Sequence, residues 1–277
     1  MNRTAERVRE LEQVARQVRL DAIEMAFSAG EKGGHLGGGL SSVEILTALY
    51  GEVLRYDVKN PYWEKRDRFI ASKNHCVLAL FPVLANAGFL ERSELFEFSK
   101  DGGRLAGYPR RVEIGLEYSG GSLGMAISVG VGLALAARED KRDTQIYILM
   151  GDGEMAEGSI WEAMMSAAHY GLSNLTAIID RNHLCYDGDT EEIMALEDLG
   201  AKFESFNWHV SKCDGHDIGD LLRAFSEPSV GKPHVVIADT VKGKGVSFIE
   251  NRREWHHSRL SKAQYETAIQ ELQGGVQ

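Results

Sequence analysis

The residues with the clearest chemical meaning are Asp152 and Asn182. Residues 145–150 form a short apolar run that leads directly into Gly151-Asp152-Gly153-Glu154, and a helical pattern opens near Ser159. A strand that turns through glycine into a helix aims the unpaired first N–H groups and the helix dipole beyond the strand end, which suits a phosphate. The glycines let the backbone come close to it. A second apolar run, 175–180, ends in Arg181-Asn182-His183-Leu184, so Asn182 follows Asp152 by 182 − 152 = 30 residues. In a parallel βαβ unit both strands finish on one edge of the sheet, where open α/β sheets bind ligands. A carboxylate and an amide oxygen are hard donors suited to Mg2+, with positions left for phosphate oxygens, water or a backbone carbonyl. Taken singly, each half reads as an ordinary turn or loop. Together, at this spacing, they read as a diphosphate held through a divalent cation.

Other nucleotide and metal chemistries find less support. Lys242-Gly243-Lys244-Gly245 lacks the upstream glycine and the Ser/Thr of a phosphate-binding loop, and no GxGxxG follows the first strand. Neither HExxH nor a CxxC pair is present, which argues against zinc. Cys76, Cys185 and Cys213 are an odd number, expected as free thiols in a reducing compartment, the cytoplasm. A net charge of −10 disfavours nucleic acid or an anionic membrane surface as the main partner. The longest weakly polar stretch, 125–137, is too short to span a membrane, and no signal or transit peptide is read at the N-terminus.

The elements that must position Asp152 and Asn182 follow from periodicity. Apolar runs at 68–71, 145–150, 175–180, 208–211 and 234–239 read as buried strands. Helical patterns cover residues up to about Gly30, then 42–54, 75–87, 121–138, 160–171, 191–205 and 217–226, with Asp217 as an N-cap. Ser261 and Gln264 form a capping box opening a last helix, 262–272. Strands alternating with helices predict an α/β fold: a doubly wound, mostly parallel sheet with helices on both faces. Gly33-Gly34-His35-Leu36-Gly37-Gly38-Gly39 reads as a glycine-rich loop. Gly121, Gly124, Gly130 and Gly132 crowd the predicted helix 121–138, at a cost of about 1 kcal/mol each, as if a backbone or ligand comes close there.

The Gly151-Asp152-Gly153 and Asn182 pair, with the residues between, resembles the thiamine diphosphate fingerprint of transketolases. The likeness extends over nearly the whole chain. Gly34-His35-Leu36-Gly37-Gly38 is similar to the family's Gly-His-Pro-Gly loop, Ser72-Lys73-Asn74-His75 to its Ser-Lys-Gly-His, and Ser119-Gly120-Gly121-Ser122-Leu123-Gly124 to its Thr-Gly-Ser-Leu-Gly. Lys242–Phe248 together with Trp255-His256 resembles its closing loop. The resemblance implies a diphosphate-binding domain spanning 1–277 and cofactors thiamine diphosphate and Mg2+. Asp152, Asn182 and the Leu184 carbonyl would hold the metal, with Gly151, Gly153 and Glu154 against the diphosphate. His75 and His256 would bond the diphosphate or neighbouring groups, Gly121 and Leu123 would line the cofactor rings, and His35 would face substrate hydroxyls. Glu157 would stand at a subunit interface. His169, His183, His209, His234 and His257 are read as structural or solvated.

Two positions depart from the family pattern. Gly107-Tyr108-Pro109 stands where transketolases have Gly-His-Pro, and Met125 stands where they have Gln. A phenol donates one hydrogen bond but lacks imidazole's proton chemistry near neutral pH, so Tyr108 as a substrate residue implies a narrowed or unusual sugar. The resemblance covers only the diphosphate half of such an enzyme. It implies the N-terminal subunit of a split transketolase, moving a two-carbon ketol unit from a ketose to an aldose. A separate C-terminal subunit would supply the pyrimidine-binding domain and the catalytic glutamate, in an α2β2 heterotetramer. Two competing readings are the alpha subunit of a 2-oxoacid dehydrogenase, which shares the Gly-Asp-Gly and Asn signature, and a non-catalytic cofactor-binding or regulatory subunit.

Overall fold

Runs of Ile, Val, Leu and Ala become five parallel strands because both of their faces are covered, which removes any need for polar alternation. The computed structural model describes residues 3–108 and 115–274. In chain order the elements are α1 (Arg3–Ser28), α2 (Leu36–Leu40), α3 (Val43–Ala48), β1 (Arg68–Ala71), α4 (Val77–Ala87), α5 (Ala126–Glu139), β2 (Ile146–Gly151), α6 (Gly158–His169), β3 (Leu175–Arg181), α7 (Thr190–Ile193), α8 (Leu199–Ser205), β4 (His209–Asp214), α9 (Ile218–Ser226), β5 (His234–Asp239) and α10 (Lys262–Gly274). The strand order is β1-β2-β3-β5-β4, parallel throughout. Alternate residues serve two cores. Phe69, Leu149, Ile178 and Val236 pack under α1, α3, α4 and α9, while Ile70, Ile148, Ile179 and Val235 pack under α5, α6 and α8. The register sets Gly151 opposite Asp180, so the turns after β2 and β3 leave the sheet side by side.

The expected strands and helices are present, with informative shifts. The predicted helix 121–138 begins only at Ala126, because Gly124 has φ +79° and a Cβ there would lie 2.6 Å from the Glu157 Cβ. Of the two glycines that are helical, Gly130 lets α5 lie on the sheet (its Cβ would meet Ile148 Cδ1 at 2.1 Å), while Gly132 faces open space. The glycine-rich segment is not all loop: Leu36–Leu40 is a buried helical turn. Helix 42–54 finishes in a π turn at Leu49–Val53. The stretch 191–205 is split into α7 and α8, each capped by an aspartate, Asp189 and Asp198. Strand 208–211 runs on to Asp214, because β4 is an edge strand whose exposed Lys212 and Asp214 alternate with buried residues. Asp217 caps α9 by accepting from the Asp220 N–H at 3.0 Å, and Ser261 with Gln264 forms the capping box of α10. The three cysteines are unpaired, and among the described residues no helix is long and apolar enough to cross a membrane.

One bridge carries the sheet's geometry into the loops. Gly34 and Ser258 exchange backbone hydrogen bonds of 2.9 and 3.1 Å, which brings His35 beside His256 and His257. The bridge requires Gly33 at φ +57°, ψ −153°, where a Cβ would lie 2.3 Å from the Ser258 carbonyl oxygen. Gly33→Ala should therefore cost about 2 kcal/mol or more in urea denaturation of the chain, since that backbone region is essentially reserved for glycine. Gly132→Ala, with open space at its Cβ, should instead stabilise by about 0.5–1 kcal/mol. Equal effects from the two substitutions would contradict this role for Gly33.

Candidate active site

The loops at the carboxyl edge converge on one buried ion pair. Asp180, at the end of β3, is fully buried and bonds Lys73, which follows β1. Its Oδ2 also accepts from Ser41 Oγ at 2.6 Å and Ser42 Oγ at 2.9 Å. Its Oδ1 accepts from Thr240, just after β5, and from Asn182 Nδ2 at 3.3 Å. Lys73 Nζ donates in addition to the Gly38 carbonyl at 3.0 Å. Burial on its own would raise the Asp180 carboxyl, but Lys73 and the hydroxyl donors outweigh it and hold the group at about 2.

The turn after β2 sits against this pair. Asp152 Oδ1 accepts from Gly153 N at 2.7 Å, and its Oδ2 accepts from His183 N at 2.6 Å and Arg181 Nη1 at 3.1 Å. Burial and the neighbouring Asp180 charge push the Asp152 carboxyl upward despite Arg181. Glu154 is also buried and also raised by burial. It ties three segments together through Ser72, Gly124 N (2.8 Å) and Gly151 N (3.2 Å). Asn182 Oδ1 accepts from Leu184 N at 3.2 Å. The Leu184 carbonyl receives Lys242 Nζ at 2.9 Å, and the same ammonium reaches the Cys185 carbonyl at 3.2 Å and His256 Nδ1 at 3.1 Å. Lys242 is buried and its ammonium is lowered to about 8, by burial first and then by Lys73.

A cluster of rings faces the turn. The His35 ring centroid lies 5.3 Å from His75, 5.6 Å from His256, 4.5 Å from His257 and 6.0 Å from Tyr108, and His75 lies 5.0 Å from His256. Burial, helped by His257 and Lys242, lowers His35 to about 4; burial, helped by Lys242 and His35, lowers His256 to about 3. His75 is lowered well below the ordinary range, by burial and then by Lys73. All three imidazoles are neutral at pH 7, with one donor and one acceptor nitrogen each.

A cavity of about 390 Å3 gathers nearly every residue that the sequence singled out. His35, His75, His256, Tyr108, Gly121, Leu123, Gly151, Asp152, Gly153, Glu154, Asn182 and Leu184 line it; Glu157 does not, and lies exposed beside Gly124. Pro109, the neighbour of Tyr108, falls outside the described residues. Lys73, Asn74 and Lys242 also line the cavity, and periodicity gave them no role there. Lys242 was visible as part of a failed phosphate-loop pattern and of the segment that resembles the family's closing loop, without a role of its own. His257, read as structural or solvated, proves to stand against His35. A larger cavity, about 780 Å3, opens beyond β4 and β5 around His183, Lys212 and Asp239, but none of the predicted site residues lines it.

Residues 9–274 match the family model described as transketolase, thiamine diphosphate binding domain. The chain belongs to this family. It is 43% identical over 267 residues to a subunit of the apulose-4-phosphate transketolase of Phocaeicola vulgatus, covering 96% of this chain and 94% of that one. It is 39% identical over 243 residues to the 6-deoxy-6-sulfo-D-fructose transketolase subunit SqwG of a Clostridium species, covering 87% and 88%. Among solved structures, the Pichia stipitis transketolase in complex with sedoheptulose-7-phosphate superposes with a TM-score of 0.88 at 28% identity. That match covers 95% of this chain but only 40% of the Pichia chain. The transketolase match decides against the 2-oxoacid dehydrogenase reading, and the doubly wound α/β fold agrees with it.

Two measurements check this electrostatic picture. The Lys73–Asp180 pair stabilises the fold fully above about pH 4, the ordinary range of a free Asp carboxyl, and its contribution is lost as the pH falls toward about 2. Lys73→Met should cost about 3–5 kcal/mol at pH 7, because it strands a buried carboxylate, and the penalty should shrink on acidification; a penalty independent of pH would contradict the assignment. In an NMR titration, the His35 and His256 ring protons should shift with midpoints near pH 4 and 3, and an ordinary midpoint near 6.5 for either would contradict it.

Proposed function

We propose that this chain is the diphosphate-binding subunit of a split transketolase that moves a two-carbon ketol unit from a ketose to an aldose. The observation that carries the reading is the convergence of Asp152, Asn182, the Leu184 carbonyl, Lys242 and three neutral imidazoles on one cavity at the carboxyl edge of the sheet. The residues fit thiamine diphosphate with Mg2+. A carboxylate, an amide oxygen and a backbone carbonyl form a hard-oxygen set, and a buried ammonium beside them offsets anionic charge. The carboxamide oxygen of Asn74 is buried on the cavity wall with no partner among the described residues. No group of three or more His, Cys, Asp or Glu side chains competes for a metal among those residues.

When bound, the cofactor supplies a carbon nucleophile that can cleave a ketose beside its carbonyl. This chain's residues hold and orient. Asp152, Asn182 and the Leu184 carbonyl would hold Mg2+, and a bound cation would relieve the burial that now raises the Asp152 carboxyl. Lys242, with Gly151, Gly153 and the buried Glu154 shaping the turn, would face the diphosphate, and Gly121 and Leu123 would lie along its rings. His35, His75 and His256 present N–H groups and lone pairs to substrate hydroxyls without adding charge. Tyr108 donates a single hydrogen bond to the ketose. Burial of these groups excludes water, which strengthens each contact.

A partner chain would bring the pyrimidine-binding domain and its glutamate, in an α2β2 assembly in the cytoplasm, with the exposed Glu157 at the interface. Subunit-type relatives matched over about their whole length support the partner, and their modified sugars, together with Tyr108, support a substrate outside the common ketoses. Asp152→Ala should abolish Mg2+-dependent retention of thiamine diphosphate while circular dichroism stays unchanged; unaltered retention would remove the metal site. Tyr108→His in the reconstituted enzyme should change the relative kcat/KM of two ketose donors, and an unaltered ratio would remove Tyr108 from substrate recognition.

A further inference from the structure

A second cavity, of about 320 Å3, adjoins the cofactor cavity and is lined by Tyr186, Asp187, Arg253, Glu254 and His257. Tyr186 and Asp187 line both cavities, so the two share a wall. The Tyr186 ring meets His256 edge-on at 5.1 Å, and His257 meets His35 edge-on at 4.5 Å. The second cavity's volume lies at the low end of the range for small-molecule sites, enough for a few carbons and their hydroxyls. We propose that this cavity is a hydroxyl-binding subsite for the distal carbons of the sugar, which extend away from the reacting carbonyl in the first cavity. The assignment rests on the transketolase reading above and gives that site its preference for chain length.

The hydrogen-bonding groups point to an uncharged polyol. The Tyr186 hydroxyl, the Asp187 carboxylate and the His257 imidazole make no hydrogen bond to another described side chain or backbone group. They offer one donor-acceptor, one pure acceptor and one imidazole, a mixed set that matches hydroxyls, which both give and accept. The single cation, Arg253, is already engaged: its Nη1 donates to the Asp187 carbonyl at 3.0 Å and its Nε lies 3.6 Å from Glu254 Oε1. Two carboxylates against one guanidinium leave the cavity with net negative charge, which repels a phosphate or sulfonate. An anionic end of the sugar is therefore bound outside this cavity. Among the described residues no group of three His, Cys, Asp or Glu side chains could make the cavity a metal site.

The test uses the reconstituted two-subunit enzyme with hydroxypyruvate as donor, which leaves the same two-carbon unit on loss of CO2 and so needs no particular ketose, and with glycolaldehyde, ribose and ribose 5-phosphate as acceptors. Asp187→Ala and His257→Phe should each lower the ratio of kcat/KM for ribose to that for glycolaldehyde about tenfold, the loss of one well-made hydrogen bond. Phe keeps the ring packing against His35 and removes only the nitrogens. Asp187→Asn should recover part of the ratio, which a merely structural role for Asp187 would not require. The preference for ribose 5-phosphate over ribose should stay as in the wild type. An unchanged ribose-to-glycolaldehyde ratio in both variants would overturn the subsite, as would an altered preference for the phosphorylated sugar in its place. A wild-type complex that transfers no ketol unit to any of the three would overturn the transketolase reading itself.

Discussion

The carboxylate of Asp180 is the fixed point of this structure. It accepts from Lys73 after β1, from Ser41 and Ser42 behind the glycine-rich segment, from Thr240 after β5 and from Asn182 on its own loop. A carboxylate taken fully out of water is tolerated only when paired and saturated with donors, and this one meets that condition only when four separate segments are in place. The requirement makes the folding of the carboxyl edge cooperative. The turn holding Asp152, the loop holding Asn182 and Leu184, and the imidazoles of His35 and His75 all hang from segments that this one group ties together. Glu154 repeats the device on the other side, joining Ser72, Gly124 and Gly151.

The electrostatic result is a site whose charge is concentrated at the turn after β2, where the proposed diphosphate and cation would bind. Lys242 stands by the Leu184 carbonyl, and the Asp152 carboxyl, raised by burial, is ready to gain from a cation. Further from the turn, burial keeps the imidazoles neutral. Neutral rings suit a sugar, whose hydroxyls need donors and acceptors in equal measure, and they avoid stacking positive charges at about 5 Å from one another. The same logic separates the two cavities: cationic and oxygen-rich around the turn, weakly acidic and hydroxyl-binding beyond Tyr186.

Much of this was legible in the sequence because it is local. Strand runs, the aspartate cap at 217, and the turn between β2 and α6 depend on neighbouring residues. The 30-residue step from Asp152 to Asn182 was readable because parallel strands return to the same edge. Long-range pairing was not readable. Lys73 and Asp180 are 107 residues apart, Lys73 inside a family-like motif and Asp180 at the end of a predicted strand, and nothing local to either names the other as its partner. His257, read only as structural or solvated, is laid against His35 by the Gly34–Ser258 bridge. The helix predicted over 121–138 was placed five residues too early at its start because alanine and glycine patterning hides the backbone: Gly124 needs a positive φ, which no hydrophobic period records.

Whether this chain holds the diphosphate half of a cofactor site completed by a second chain is decided by native mass spectrometry of the tagged protein isolated from its source cells. The predicted result is a hetero-oligomer of this chain with a stoichiometric partner, carrying one thiamine diphosphate and Mg2+ for each copy of the chain. A homodimer free of cofactor, isolated with Mg2+ and thiamine diphosphate supplied, would contradict it.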